Sequence, residues 1–236
     1  MATNDKLLTL TNGELQVTGR LVDASNATLY ATATFNEDSV TCIYKPIAGE
    51  RPLWDFSDGS LAHREYAAYL VSEYLGFHLV PLTILREGPY GFGMVQEWID
   101  IDHAIDLTEF FSSDHPRLRS MTIFDAIINN TDRKIGHLLP IDQTQVFGCD
   151  HGVTFHVEDK LRTVLWQWAE EPFTEVELAQ LRDAQEALLG SLGQGLELFL
   201  TAQEISATAM RVGQLLKTGS FPLPNPNWPA VPWPAY

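Results

Sequence analysis

The sequence predicts an α+β protein in which strands come first and helices later. The first hundred residues alternate apolar and polar side chains in β-branched runs, with one helical interruption. The second half repeats its apolar residues at helical spacing. With 45% apolar residues in 236, the chain can fill the core of one large domain or of two lobes that share one.

Strand patterns cover residues 14–22, 28–35 and 39–44, with Asn36-Glu37-Asp38 turning the chain between the last two. Residues 46–60 mix Gly, Pro, Asp and Ser without a period and read as a loop. A helix follows over 61–75, where Tyr66, Ala67, Leu70, Val71 and Tyr74 make one stripe, Ser60 is the candidate N-cap and Gly76 the stop. Residues 79–86 and 92–98 are two more strands around the turn Glu87-Gly88-Pro89-Tyr90-Gly91. Beyond them lie a helix at 118–129 and a hairpin, 138–141 with 145–147, over Asp142-Gln143-Thr144. Thr174 and Glu177 have capping-box spacing for a helix to about residue 189, and 202–217 is a further helix before Gly219. The final fifteen residues hold six prolines with Trp228, Trp233 and Tyr236, an extended tail that either lies on the body or is mobile. The expected division is 1–98, 99–221 and a tail at 222–236.

Thirty-one acidic against fifteen basic side chains give a net charge of −16. That surface repels polyanions, so neither nucleic acid nor an anionic membrane is an expected partner. Cys42 and Cys149 are the only cysteines, too few for a disulfide framework. Residues 1–13 lack the apolar stretch of a signal peptide, and no apolar run reaches the roughly 20 residues that span a bilayer. The expectation is a soluble, cytoplasmic protein.

Four chemical features occur in order. Lys45, one of only five lysines, ends the apolar run Thr41-Cys42-Ile43-Tyr44-Lys45-Pro46. Glu65 lies on the next helix. A lysine on a third strand and a glutamate on the following helix form the ion pair that holds nucleotide phosphates in kinase-like folds. Asn129-Asn130-Thr131-Asp132-Arg133-Lys134-Ile135-Gly136-His137 comes third; Asp132 and His137 are spaced as the proton-accepting aspartate and metal-binding residue of a kinase catalytic loop. Phe147-Gly148-Cys149-Asp150-His151-Gly152 is the fourth, in which Asp150 opens an Asp-x-Gly triplet and offers Mg²⁺ an oxygen ligand. Alone, each also reads as a surface lysine, a solvated glutamate or a turn.

Taken in order, these residues resemble the protein-kinase-like superfamily. Tyr44-Lys45-Pro46 and Asn130-Thr131-Asp132-Arg133 are similar to its phosphatidylinositol 3- and 4-kinase branch, particularly type II 4-kinases and the bacterial HipA-type relatives. Gly49-Glu50-Arg51-Pro52-Leu53-Trp54-Asp55-Phe56 resembles a small actinobacterial phosphatidylinositol-kinase-like family. The resemblance covers roughly residues 14–155. It implies a bilobal fold, with a five-stranded antiparallel first lobe carrying one helix and a shortened, mainly helical second lobe. It also implies ATP with Mg²⁺, or Mn²⁺, as the ligands. Lys45 would contact the phosphates and Glu65 orient it, Asp132 would be the catalytic aspartate, and Asp150 and His137 would face the metal. Gln96, Glu97 and Trp98 would meet the adenine through their backbone.

The departures bear on function. No Gly-x-Gly-x-x-Gly occurs, leaving the turn Asp23-Ala24-Ser25-Asn26-Ala27 to cradle phosphate with amides and the Ser25 hydroxyl. His137 replaces an asparagine, and imidazole suits Mn²⁺ or Zn²⁺ better than Mg²⁺. No Ala-Pro-Glu follows Asp150. His63, His78, His103, His115, His151 and His156 have no metal-site spacing, and Trp54, Phe56, Met94, Trp166 and Trp168 read as core or pocket wall. Cys149, beside a carboxylate, is a candidate redox-sensitive thiol. The leading expectation is an ATP-dependent phosphotransferase acting on a protein or small-molecule hydroxyl. The alternatives are a nucleotide-binding pseudokinase without turnover and an AMP transferase using the same pocket.

Overall fold

The computed structural model describes residues 2–21 and 27–236. A helix that the sequence pattern did not announce, α1 (Thr3–Asn12), precedes the first lobe. It buries Thr9 and Leu10 against the sheet while Leu7 and Leu8 stay exposed, so tertiary packing rather than an apolar stripe holds it. The sheet comprises β1 (Glu14–Arg20), β2 (Leu29–Phe35), β3 (Asp38–Pro46), β4 (Thr83–Gly88) and β5 (Gly91–Glu97), in the order β1-β2-β3-β5-β4, every pair antiparallel. Asn36, at φ 55°, makes the tight β2–β3 turn, a conformation that asparagine tolerates.

Gly93 pairs with Pro46 on β3 and with Arg86 on β4. A Cβ at this position would lie 2.4 Å from the Lys45 carbonyl oxygen, so only glycine lets the two strands approach here.

Between β3 and β4 runs α2 (Leu61–Tyr74). The expected N-cap is corrected: Ser60 makes no capping bond, because its hydroxyl donates to the Ser57 carbonyl. The carboxylate of Glu50 caps instead, accepting from the Leu61 and Ala62 amides at 3.1 and 2.9 Å. At the other end Gly76, at φ 69°, closes the helix as expected; the Phe77 amide reaches the Ser72 carbonyl and the Gly76 amide the Glu73 carbonyl. Ala67, Ala68 and Val71 pack into the core of the second lobe with Phe77 and Leu79.

The second lobe contains α3 (Leu107–Phe110), α4 (Pro116–Ile128), the hairpin β6 (Leu138–Pro140) with β7 (Val146–Gly148), then α5 (Glu175–Leu189), α6 (Ser191–Leu196) and α7 (Ala202–Thr218). Leu118, Phe124 and Ile127 of α4 are buried at its centre; each such side chain contributes about 1.5–3 kcal/mol by leaving water. Thr174 and Glu177 form the predicted capping box on α5, and Thr201 with Glu204 forms a second one on α7. Gly219, in the left-handed region, ends α7. The bilobal kinase-like architecture therefore holds. Among the described residues no helix is long and apolar enough to cross a membrane.

Candidate active site

Lys45, at the end of β3, reaches across to α2. Its Nζ lies 2.5 Å from Glu65 Oε1 and 2.9 Å from Asp150 Oδ1. Burial opposes the ammonium charge, but Asp150 and Glu65 outweigh it and raise the lysine pKa, so Lys45 stays protonated. Glu65 is itself buried, and its second oxygen accepts from the His151 amide at 2.9 Å. The third strand, the helix and the Asp150 segment thus meet at one ammonium group.

The chain reaches Asp132 by a sharply turned path. Asn129 ends α4 at φ 52°; its side chain donates to the carbonyls of His156 and Glu158 and accepts from the Lys160 amide. Asn130 donates to Asp125 at 2.9 Å and accepts from the Asp132 amide at 3.0 Å. Asp132 is then flanked by Lys134 at 3.3 Å and Arg162 at 3.7 Å. Burial, with the nearby Asp150 charge, raises its pKa despite those two cations, a direction that suits a proton acceptor.

Asp150 sits at φ 59°, a strained setting for a residue with a side chain, and its carboxylate is 46% exposed. Lys45 lowers its pKa well below the ordinary carboxylate range, and His137 adds to the effect. An ionised, accessible oxygen pair is what a hard divalent cation requires, with nucleotide phosphates and water completing the shell. Among the described residues, no group of three or more His, Cys, Asp or Glu side chains forms a metal cage.

His137 Nε2 faces Asp150 Oδ2 at 3.5 Å. Its Nδ1 lies 3.5 Å from the Lys134 amide nitrogen, the outer limit of a hydrogen bond. Burial lowers its pKa to about 4, so the ring is neutral at pH 7. A neutral imidazole keeps a lone pair on one ring nitrogen, the form in which histidine ligates metals. Cys149 is corrected: burial first, and Asp150 second, push its thiol up to about 12, away from the thiolate that redox chemistry needs.

Lys45, Glu65, Asp132 and Asp150 line one cavity of about 320 Å³. Glu50, Arg51, Trp54, Asp55, Arg162 and Trp228 line it too. Gln96, Glu97 and Trp98 do not line it. Gln96 is bonded to Thr83, Glu97 is ion-paired with Lys6, and Trp98 packs edge-on against Tyr30. The Glu97 and Trp98 amides donate to the Leu82 and Thr41 carbonyls. Ser25 lies outside the described residues. Sequence reasoning missed Lys134 and Arg162 beside Asp132, the Glu50 cap, and Trp228; only Lys134, two residues after the aspartate, carried a local signal.

The tail resolves to the first of its two alternatives. Residues 222–236 lie on the second lobe, with the Ala230 carbonyl accepting from the Thr163 amide and the Trp166 indole, and the Ala235 carbonyl accepting from the Ile135 amide.

No family model matches the chain. In the solved structures, the Golgi casein kinase with Mn/ADP bound superposes with a TM-score of 0.60 at 13% identity, covering 91% of this chain and 74% of that one, and so shares its fold. The Helicobacter pylori proinflammatory kinase CtkA gives a TM-score of 0.49 at 11% identity, covering 90% and 94%. In sequence, Protein Rv2133c of Mycobacterium tuberculosis (strain ATCC 25618 / H37Rv) is 42% identical over an alignment that covers 99% of this chain and 96% of that protein. The chain belongs to the same family as Protein Rv2133c, built on a kinase-like fold.

Proposed function

We propose that this protein is an ATP-dependent phosphotransferase of the phosphatidylinositol-kinase-like type, acting on a hydroxyl of a protein or small molecule. The observation that carries the reading is the convergence of Lys45, Glu65, Asp132 and Asp150, drawn from four separate segments, on one cavity. A protein with only five lysines and a charge of −16 here places one lysine between two carboxylates.

In this reading Lys45 binds the nucleotide phosphates and Glu65 holds it in place. Asp132 accepts the proton of the acceptor hydroxyl as its oxygen bonds to the γ-phosphorus and the bond to the β-phosphate bridging oxygen breaks. Lys134 offers positive charge to the transferring phosphoryl group, and Arg162 holds the other side of Asp132. Mg²⁺ or Mn²⁺, held by Asp150, would neutralise the phosphates. The strongly acidic composition favours a protein or small-molecule acceptor over a lipid in an anionic bilayer.

A second reading, nucleotide binding without turnover, is favoured by one observation: among the described residues no group of three or more His, Cys, Asp or Glu side chains gathers to hold a metal. The two readings separate on two variants. Asp150→Ala should lose Mg²⁺-dependent ATP binding, whereas Asp132→Ala should bind ATP normally and lose transfer of labelled γ-phosphate by about 10²–10⁴-fold. Wild-type binding without transfer selects the second reading, and no binding by wild type sinks both.

A further inference from the structure

The path of residues 222–236 is not explained by the core. Among them only Pro232 is buried, while Trp233 and Tyr236 stay largely in solvent. Their contacts fall instead on the candidate site. The Ala235 carbonyl accepts from the Ile135 amide at 2.9 Å, and Tyr236 lies against Gly136. Ile135 and Gly136 sit between Lys134, which touches Asp132, and His137, which faces Asp150. Further back, the Ala230 carbonyl accepts from Thr163, whose neighbours Arg162 and Val164 are bonded to Arg133.

Trp228 belongs to the cavity wall itself. Its ring lies 4.9 Å from the Lys160 ammonium and 5.9 Å from the Arg162 guanidinium carbon, and Trp54 covers the same ammonium from 4.6 Å. Lys160 is anchored by Asp55 at 2.8 Å. The Trp228 indole N–H is buried and has no hydrogen-bond partner among the described residues.

We propose that residues 222–236 are a strap that positions the catalytic loop through Ile135 and supplies Trp228 as a wall at the acceptor end of the cavity. The strap stands on geometry alone, whereas the acceptor role of Trp228 rests on the phosphotransferase reading. Ala235 and Trp228 are positioning residues: they act through the loop and Arg162 on the groups that meet substrate.

Two measurements test it. Amide hydrogen exchange on the full chain, and on the chain stopped after Leu223, should show Ile135 and Thr163 exchanging about tenfold faster or more without the strap, with α4 unchanged. Unchanged exchange at Ile135, or equal loss of protection throughout α4, overturns the strap. In the full chain, Trp228→Ala should keep its affinity for Mn²⁺–ADP within about twofold and lose about tenfold or more of γ-phosphate transfer, with Trp228→Phe recovering part of it. Affinity and transfer falling together, or neither falling, overturns the wall. A wild-type chain that binds no ADP overturns the kinase reading and the wall with it, while the exchange data still decide the strap.

Discussion

Arg133 and Asp125 meet through two hydrogen bonds of 2.9 Å, Nε to Oδ2 and Nη2 to Oδ1, where neither side chain is exposed. The same guanidinium donates to the Cys149 carbonyl and to His151 Nε2, while Asp125 also accepts from Asn130. One buried pair therefore fixes both the residue beside Asp132 and the residues flanking Asp150. Asp125→Ala leaves an uncompensated buried cation and should cost about 3–5 kcal/mol of unfolding free energy, measured in denaturant. A loss below about 1 kcal/mol, the range of an exposed pair, would show that the clamp does not hold the loops.

Glu50 caps α2 from a loop, eleven residues before the first residue of the helix, and Ser60 does not. Glu50→Ala should lower stability by about 0.5–2 kcal/mol, the range for a lost N-cap, and Ser60→Ala by much less. Thermal denaturation of the two variants compares them directly; the reverse ranking contradicts the assignment.

Arg64 joins α2 to the start of α7 through Glu204, donates to the Thr154 carbonyl at 2.7 Å and lies over the Phe56 ring. Burial pushes the Glu204 carboxyl up, but Arg64 and the Thr201 amide outweigh it and hold its pKa below the ordinary value. The folded state therefore binds the proton less readily than the unfolded one. This contribution is fully present above the unfolded pKa of about 4.5 and is lost as pH falls through the lowered folded value. Urea denaturation from pH 7 to pH 3 should show that acid-dependent loss, and Glu204→Gln should flatten it. An identical pH slope in the variant would remove Glu204 from the account.

Lys45 is surrounded by Glu65 and Asp150, so its replacement leaves two carboxylates facing each other. Lys45→Met should abolish phosphate transfer and also raise the pKa of the pair, making nucleotide binding in Mg²⁺ strongly pH-dependent. Glu65→Gln retains an acceptor for the His151 amide and should impair transfer less. Parallel transfer assays and ATP titrations rank the two; equal activity in Lys45→Met and wild type would remove Lys45 from the site.

The sheet, α2, α4 and the hairpin were legible because each follows a local period with turn residues at its ends. The order Lys45, Glu65, Asp132, Asp150 was legible for a similar reason, since each residue type stands at a strand end, on a helix or in a turn where its chemistry is usable. What stayed hidden depends on distance. Thr3–Asn12 has no helical stripe, and its fold follows from Leu10 meeting a sheet formed later in the chain. Arg162 and Trp228 reach the cavity from segments whose own patterns are irregular, and the Glu50 cap acts across a loop. His137 was read as facing the metal from its spacing after Asp132, and the fold brings its ring to within 3.5 Å of the Asp150 carboxylate. The adenine edge at Gln96, Glu97 and Trp98 was placed by analogy, while the sheet occupies the Glu97 and Trp98 amides.

Gly93 bears on how other sequences of this kind can be found. The chain lacks the glycine-rich turn by which nucleotide folds are usually searched, yet a side chain on this one residue of β5 would collide with the Lys45 carbonyl. In this chain a position that admits no side chain is on the strand beside the lysine. A search keyed to Gly-x-Gly-x-x-Gly passes over such chains. A strand ending in Lys-Pro, paired with a strand that carries glycine opposite the proline, is the pattern that describes this one.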